Sequence, residues 1–207
     1  MLIVLSNDDL KTELLAQGIN EKAEVFWATS IDIISDELKA DAVIDLLFEN
    51  NAERINKLKQ IQIVFVNSVI HTLDQLPAGF VRFNGWNSFL KRPIVEAACN
   101  DEIIKTKASQ IFSLFNKKIE WTPDKPGFIT ARVIGMIINE AYFALEEKVS
   151  TKDEINTAMK LGTNYPYGPF EWAEKIGLKN IYELLEYLFI SNKRYKPSAL
   201  LQKEATQ

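Results

Sequence analysis

The chain has 207 residues, 47% of them apolar and 25% charged, the balance of a soluble globular protein long enough for one large core or two small ones. A net charge of -4, a pI near 5.2 and the lack of any basic stripe argue against a nucleic-acid partner. No apolar run approaches the roughly 18 residues of a membrane span, the acidic N-terminus MLIVLSNDDL does not read as a signal peptide, and a lone Cys99 points to a reducing cytoplasm.

In chain order, Met1–Leu5 is a short apolar run that predicts a buried strand, followed by polar Ser6-Asn7-Asp8-Asp9 and a helical pattern to Gln17-Gly18. Further strands are expected over Ala23–Ala28, Ala42–Leu47, β-branched Ile61–Val66 and Phe80–Trp86. Helices are expected over Asn51–Lys59 and Asp101–Phe115. Short strands separated by helices predict a parallel α/β layer.

A dinucleotide site needs glycines at the first strand–helix turn, so that backbone N–H groups can approach a pyrophosphate. Ser6–Leu10 contains none, and Asp8 and Asp9 repel a polyanion. These residues read instead as a plain N-cap, Ser6 or Asn7, with two carboxylates complementing the helix dipole.

The second half reads as helical. Asp124-Lys125-Pro126-Gly127 leads into Phe128–Glu147, which is apolar around most of its circumference and predicts a core helix shared with a partner surface. Thr151 and Glu154 have capping-box spacing, Gly162 suits the end of that helix, Pro169 suits the first position of the next, and Gly177 closes it. Asn180 is expected to cap a further helix with Ile181, Leu184, Leu185, Leu188 and Phe189 on its apolar face. About four helices form a compact domain on this reading.

These residues carry a resemblance. Asp124-x-Pro126-Gly127-Phe128, Asn139-Glu140-Ala141, Ile155–Gly162, Tyr165-Pro166-x-Gly168-Pro169-Phe170, Gly177-Leu178 and Arg194-Tyr195-x-Pro197-Ser198-x-Leu200-Leu201 resemble the C-terminal domain of the NAD-dependent 3-hydroxyacyl-CoA dehydrogenases. Ala40–Glu49 is similar to a late Rossmann strand and loop of that family, and Arg82-Phe83-x-Gly85 to the lead-in to its catalytic histidine. The resemblance implies a truncated Rossmann-like α/β domain over residues 1–120 and a helical, all-α domain over 121–207 that dimerises and takes acyl-CoA. It also implies NAD as cofactor, with a histidine as base, a glutamate orienting it, and a serine and an asparagine on the substrate oxygens.

Carried over residue by residue, Asn87 stands at the base position, and an amide cannot accept the hydroxyl proton near neutral pH. Glu96 matches the orienting carboxylate if residues are deleted between it and Asn87. In Val66-Asn67-Ser68-Val69, matching Asn67 to the family's Asn-Thr-Ser places Ser68 on the threonine and Val69 on the substrate serine. The helix asparagine before Arg132 is Ala131, and the family's Gly-rich tail does not follow Leu201. Tyr165, Pro166, Gly168 and Pro169 mark the substrate cleft by resemblance. The single histidine, His71, reads as structural or superficial, since position alone gives it no partner. Two readings follow: a reduced but active dehydrogenase, and a non-catalytic relative that binds acyl-CoA or serves as an interaction subunit. The missing base and missing glycine turn favour the second, with little or no NAD-dependent turnover. A cytoplasmic homodimer through the Phe128–Leu145 helix, with no nucleic-acid or membrane partner, completes the expectation.

Overall fold

The computed structural model describes residues 1–34 and 40–207. Two compact units result, Met1–Phe128 and Ile129–Gln207. The division falls later than the expected 120/121, because the last strand of the sheet ends at Trp121 and that boundary would cut it.

The first unit is a seven-stranded sheet in the order β2-β1-β3-β4-β5-β6-β7. Its strands are β1 (Leu2–Leu5), β2 (Val25–Ala28), β3 (Ala42–Asp45), β4 (Ile63–Asn67), β5 (Phe80–Phe83), β6 (Ile94–Ala98) and β7 (Lys118–Trp121). Helices α1 (Asp8–Leu14), α2 (Ala52–Leu58) and α3 (Glu102–Ser113) cover it. Strands β1 and β3 are buried on both faces, which is why they read as unbroken apolar runs. Leu2 and Val4 pack with Leu10, Leu14, Phe112 and Phe115 on one face, while Ile3 and Leu5 pack with Leu58 and Leu76 on the other.

All neighbouring pairs are parallel except β5–β6. The link over residues 84–93 holds no helix and is too short for a crossover, so β6 must return antiparallel. Neither β6 nor β7 was expected. Glu96 interrupts the apolar run of the first, and alternating charge disguises the second. β1 lies between β2 and β3, so strand order reverses there, the switch point at which open α/β sheets bind ligands.

The second unit holds five helices among the described residues: α4 (Thr130–Glu146), α5 (Lys152–Thr163), α6 (Pro169–Ile176), α7 (Leu178–Ser191) and α8 (Ala199–Ala205). α4 starts after Phe128 because Gly127 and Phe128 both have positive φ, 82° and 47°. Thr151 and Glu154 close the capping box on α5. That helix ends on left-handed Asn164 rather than at Gly162, since asparagine tolerates the conformation. Pro169 opens α6, and Asn180 seals its end, donating to the Ile176 carbonyl at 2.7 Å, rather than capping α7. On α4, Ile134, Ile138 and Tyr142 are buried, whereas Val133 and the N-cap residue Ile129 are 51% and 57% exposed. No described helix is long and apolar enough to cross a membrane.

Candidate functional site

The carboxyl ends of β4 and β5, with the start of β6, gather the polar groups that chemistry could use. Glu96 is buried on β6, and its partner across the antiparallel pair is Asn84. The Asn84 backbone N–H donates to the Glu96 carbonyl at 2.9 Å, and its Nδ2 donates to Glu96 Oε2 at 3.1 Å. The sequence reading set Asn87 against Glu96. In the structure Asn87 is half-buried on the following turn, and Asn84 holds the carboxylate. Arg82 and Phe83 lie inside β5, within the expected Phe80–Trp86 strand, and the antiparallel pairing sets Asn84 opposite Glu96.

Asn67, at the end of β4, donates to the Leu46 carbonyl at 3.2 Å and accepts the Gly85 N–H at 3.0 Å. A Cβ on residue 85 would lie 2.9 Å from both Asn67 Cγ and Phe83 Cε2, so only glycine fits. Ser68 is buried, and its hydroxyl donates to the His71 carbonyl at 3.0 Å, which folds the loop after β4 on itself. The His71 ring nitrogen Nδ1 lies 3.2 Å from Gln75 Oε1.

Arg82 organises this end of the sheet. Its side chain is fully buried, with Nε 2.9 Å from the Ser68 carbonyl, Nη2 2.9 Å from the Val69 carbonyl and Nη1 2.6 Å from Asp124 Oδ1. The Phe128 ring lies 4.1 Å from the guanidinium carbon. Asp124 also accepts the Leu73 N–H at 2.9 Å, and the Gly127 N–H donates to the Val69 carbonyl at 2.8 Å. The Asp124-x-Pro126-Gly127-Phe128 motif therefore clasps the loop that carries Ser68.

The link between β5 and β6 is pinned by ionisable side chains. Glu13 takes the N–H of left-handed Ser88 on both carboxylate oxygens, at 2.6 and 2.7 Å. Buried Lys117 donates to the carbonyls of Leu90 and Arg92 at 2.6 and 2.9 Å, and burial pushes its pKa down to about 8 against the attraction of Glu13. Burial likewise lowers Arg92, with Glu96 opposing.

At the switch point, Asn7 Oδ1 accepts the Leu10 N–H at 2.9 Å, so Asn7, not Ser6, is the cap of α1. Asp8 and Asp9 occupy the first turn, and no glycine lies within Ser6–Leu10. Next to it, Asp45 at the end of β3 is gripped by Arg54 at 2.6 and 2.7 Å, while burial raises its carboxyl pKa. These residues do not fit a dinucleotide: the turn has no bare backbone to cradle phosphate, and its charge is of the wrong sign. Among the described residues no group of three or more potential ligands could hold a metal ion.

In the helical unit the motif residues serve packing. A Cβ on Gly168 would lie 2.5 Å from Asn156 Cα, and Asn156 Oδ1 accepts the Phe170 N–H at 2.9 Å. Gly168 and Pro169 are buried, whereas Tyr165 and Pro166 are exposed. Buried Asn139 donates to the Lys196 carbonyl and accepts the Ser198 N–H, both at 2.9 Å, which seats the segment before α8. The sequence marks Arg82, Gly85 and Asn67 as motif residues but does not reveal the Asn84–Glu96 pair, the buried Arg82–Asp124 pair or the Asn67–Gly85 contact.

The family model for the 3-hydroxyacyl-CoA dehydrogenase C-terminal domain matches residues 127–206. The 3-hydroxyadipyl-CoA dehydrogenase of Escherichia coli K12 is 40% identical over 114 residues, 54% of this chain but 24% of its own length. Human mitochondrial hydroxyacyl-coenzyme A dehydrogenase is 29% identical over 205 residues, 88% of this chain and 64% of its own. The chain thus spans a quarter to two thirds of these curated relatives. Two crystal structures share the fold. The (S)-3-hydroxybutyryl-CoA dehydrogenase of Ralstonia eutropha aligns with a TM-score of 0.74 at 19% identity, covering 99% of this chain and 93% of that one. FadB2 of Mycobacterium tuberculosis aligns at 0.77 and 15% identity, covering 100% and 94%. Residues 127–206, nearly all of the helical unit, thus match the 3-hydroxyacyl-CoA dehydrogenase C-terminal domain, and the curated relatives that align with more of the chain are dehydrogenases of that family.

Proposed function

We propose that this protein is a non-catalytic acyl-CoA-binding member of its family, acting in fatty-acid metabolism without NAD-dependent hydride transfer. The observation that carries this reading is the Asn84–Glu96 pair. In the family the orienting glutamate holds the base; here Glu96 holds an amide, which donates and accepts hydrogen bonds but takes no proton near neutral pH. Loss of the base alone costs roughly 10²–10⁴-fold in rate. The acidic, glycine-free first turn removes the phosphate cradle as well. Fold supports the ancestry only, and the site decides the activity.

The acyl-CoA part rests on the match of the helical unit to the family's C-terminal domain. A homodimer through the exposed Val133 on α4 and Ile129 at its N-cap, and a reducing compartment for buried Cys99, belong to the same proposal. The retained Glu96 carboxylate is what favours an active variant instead. Titration of NADH, followed by its fluorescence, with acetoacetyl-CoA added at saturation, separates the two. Saturable NADH binding with turnover refutes the proposal. Calorimetric binding of acetoacetyl-CoA without NADH binding supports it.

A further inference from the structure

We propose that Asn84-Gly85 is a latent self-modification site that the fold holds shut through Asn67. It is the one Asn-Gly pair in the chain. An asparagine followed by glycine is chemically labile, because the next backbone nitrogen meets no side chain as it attacks the amide. In that step the Gly85 nitrogen loses its proton and bonds to Asn84 Cγ. The Cγ–Nδ2 bond breaks, ammonia leaves, and a five-membered succinimide closes. Water then opens the ring to aspartate or isoaspartate. The overall change is one amide and one water to one acid and one ammonia, with no oxidant or cofactor.

Each element of the attack is restrained. The Gly85 N–H that must be lost is donated to Asn67 Oδ1 at 3.0 Å. The leaving Nδ2 is donated to Glu96 Oε2 at 3.1 Å. The Asn84 backbone N–H is donated to the Glu96 carbonyl at 2.9 Å, which anchors the residue in the strand pair. Asn84 is 2% exposed, which keeps out the water needed to open the ring. The same contact explains why the labile pair persists: Asn67 approaches so closely that residue 85 can only be glycine, and its carbonyl oxygen then blocks the lability that glycine creates.

Release would change the site's chemistry. An aspartate at 84 would face the Glu96 carboxylate across the strand pair, and two carboxylates this close share a proton rather than both ionise. Where the reading above places a missing proton acceptor, conversion would install one; that consequence rests on the proposed function, whereas the guarded site does not.

The test is peptide mapping by mass spectrometry after incubation of the full chain in warm, mildly alkaline buffer, which involves neither NADH nor acyl-CoA. The folded wild-type protein should keep Asn84 while the same chain in urea converts it. Asn67→Ala should convert about five- to tenfold faster than wild type, the shift in local opening expected for one lost hydrogen bond. Asn67→Asp, which keeps an acceptor for the Gly85 N–H, should stay close to wild type. Hydrogen exchange of the Gly85 amide in the wild type gives a measurement that needs no variant, and strong protection is expected. Conversion of the folded protein at the unfolded rate, Asn67→Ala no faster than wild type, or an unprotected Gly85 amide would each overturn the proposal.

Discussion

Replacing Arg82 with methionine keeps much of the side chain's bulk and removes its charge and every donor. In the native protein the guanidinium is fully buried, paired with Asp124 at 2.6 Å and bonded to the carbonyls of Ser68 and Val69 at 2.9 Å. Removing one partner of a buried ion pair costs about 3–5 kcal/mol, chiefly because the other groups lose their compensation. Asp124 is 24% exposed and can recover some hydration, so the lower end, about 3 kcal/mol, is expected. For a chain of this size that is a fall of about 6–12 °C in melting temperature. Urea unfolding, followed by tryptophan fluorescence and by far-ultraviolet circular dichroism, gives the free energy directly. Arg82→Lys should fall between, because a point ammonium cannot reproduce the fork. A loss below about 1 kcal/mol for Arg82→Met would refute the reasoning, since the hydrogen bonds would then only balance the desolvation of the charge.

Gly168→Ala puts a methyl group 2.5 Å from Asn156 Cα, and overpacking of this kind should cost about 1–3 kcal/mol, read as a lower melting temperature. Lys117 has a folded pKa of about 8 against 10.5 for the free side chain, so the unfolded chain binds the extra proton between those values. Stability should therefore rise as pH climbs from 8 toward 10.5, and Lys117→Met should abolish that rise in urea midpoints measured across the window. Val133→Glu, at an exposed position of α4, should leave the fold intact and shift light scattering from dimer to monomer; a wild-type protein that scatters as 23.6 kDa would remove the basis for the dimer. Ile138→Asp is not an equivalent test, because Ile138 is fully buried and its loss reports on folding.

What could be read from the sequence divides by the range of the contact that decides it. β1, β3 and β4 are apolar on both faces, and Thr151, Pro169 and Gly177 punctuate helices through neighbours a few residues away. Such features are local and were legible. β6 was not, since a buried glutamate breaks its pattern and its partner lies on another strand. The partner of Glu96 depends on the same long-range pairing. Reading Arg82-Phe83-x-Gly85 along the chain set Asn87 against Glu96, whereas strand pairing sets Asn84 there. Asn67 and Gly85 are 18 residues apart, and nothing near either one announces their contact. Asn164 in place of Gly162 shows a softer limit, where two residues suit a left-handed cap and only geometry chooses.

The antiparallel return between β5 and β6 bears on how the chain assembles. Asn84 and Glu96 are separated by 12 residues, whereas the parallel partners Leu2 and Ala42 must close a loop more than three times longer. Hairpins close in about 1–10 μs, and the closure entropy of longer loops delays parallel pairing. The strand pair that carries the candidate site is thus suited to form first and to serve as the surface on which the rest of the sheet condenses. In that order of events, the Asn84–Glu96 contact is an early fastener of the fold, a role independent of any chemistry at the site.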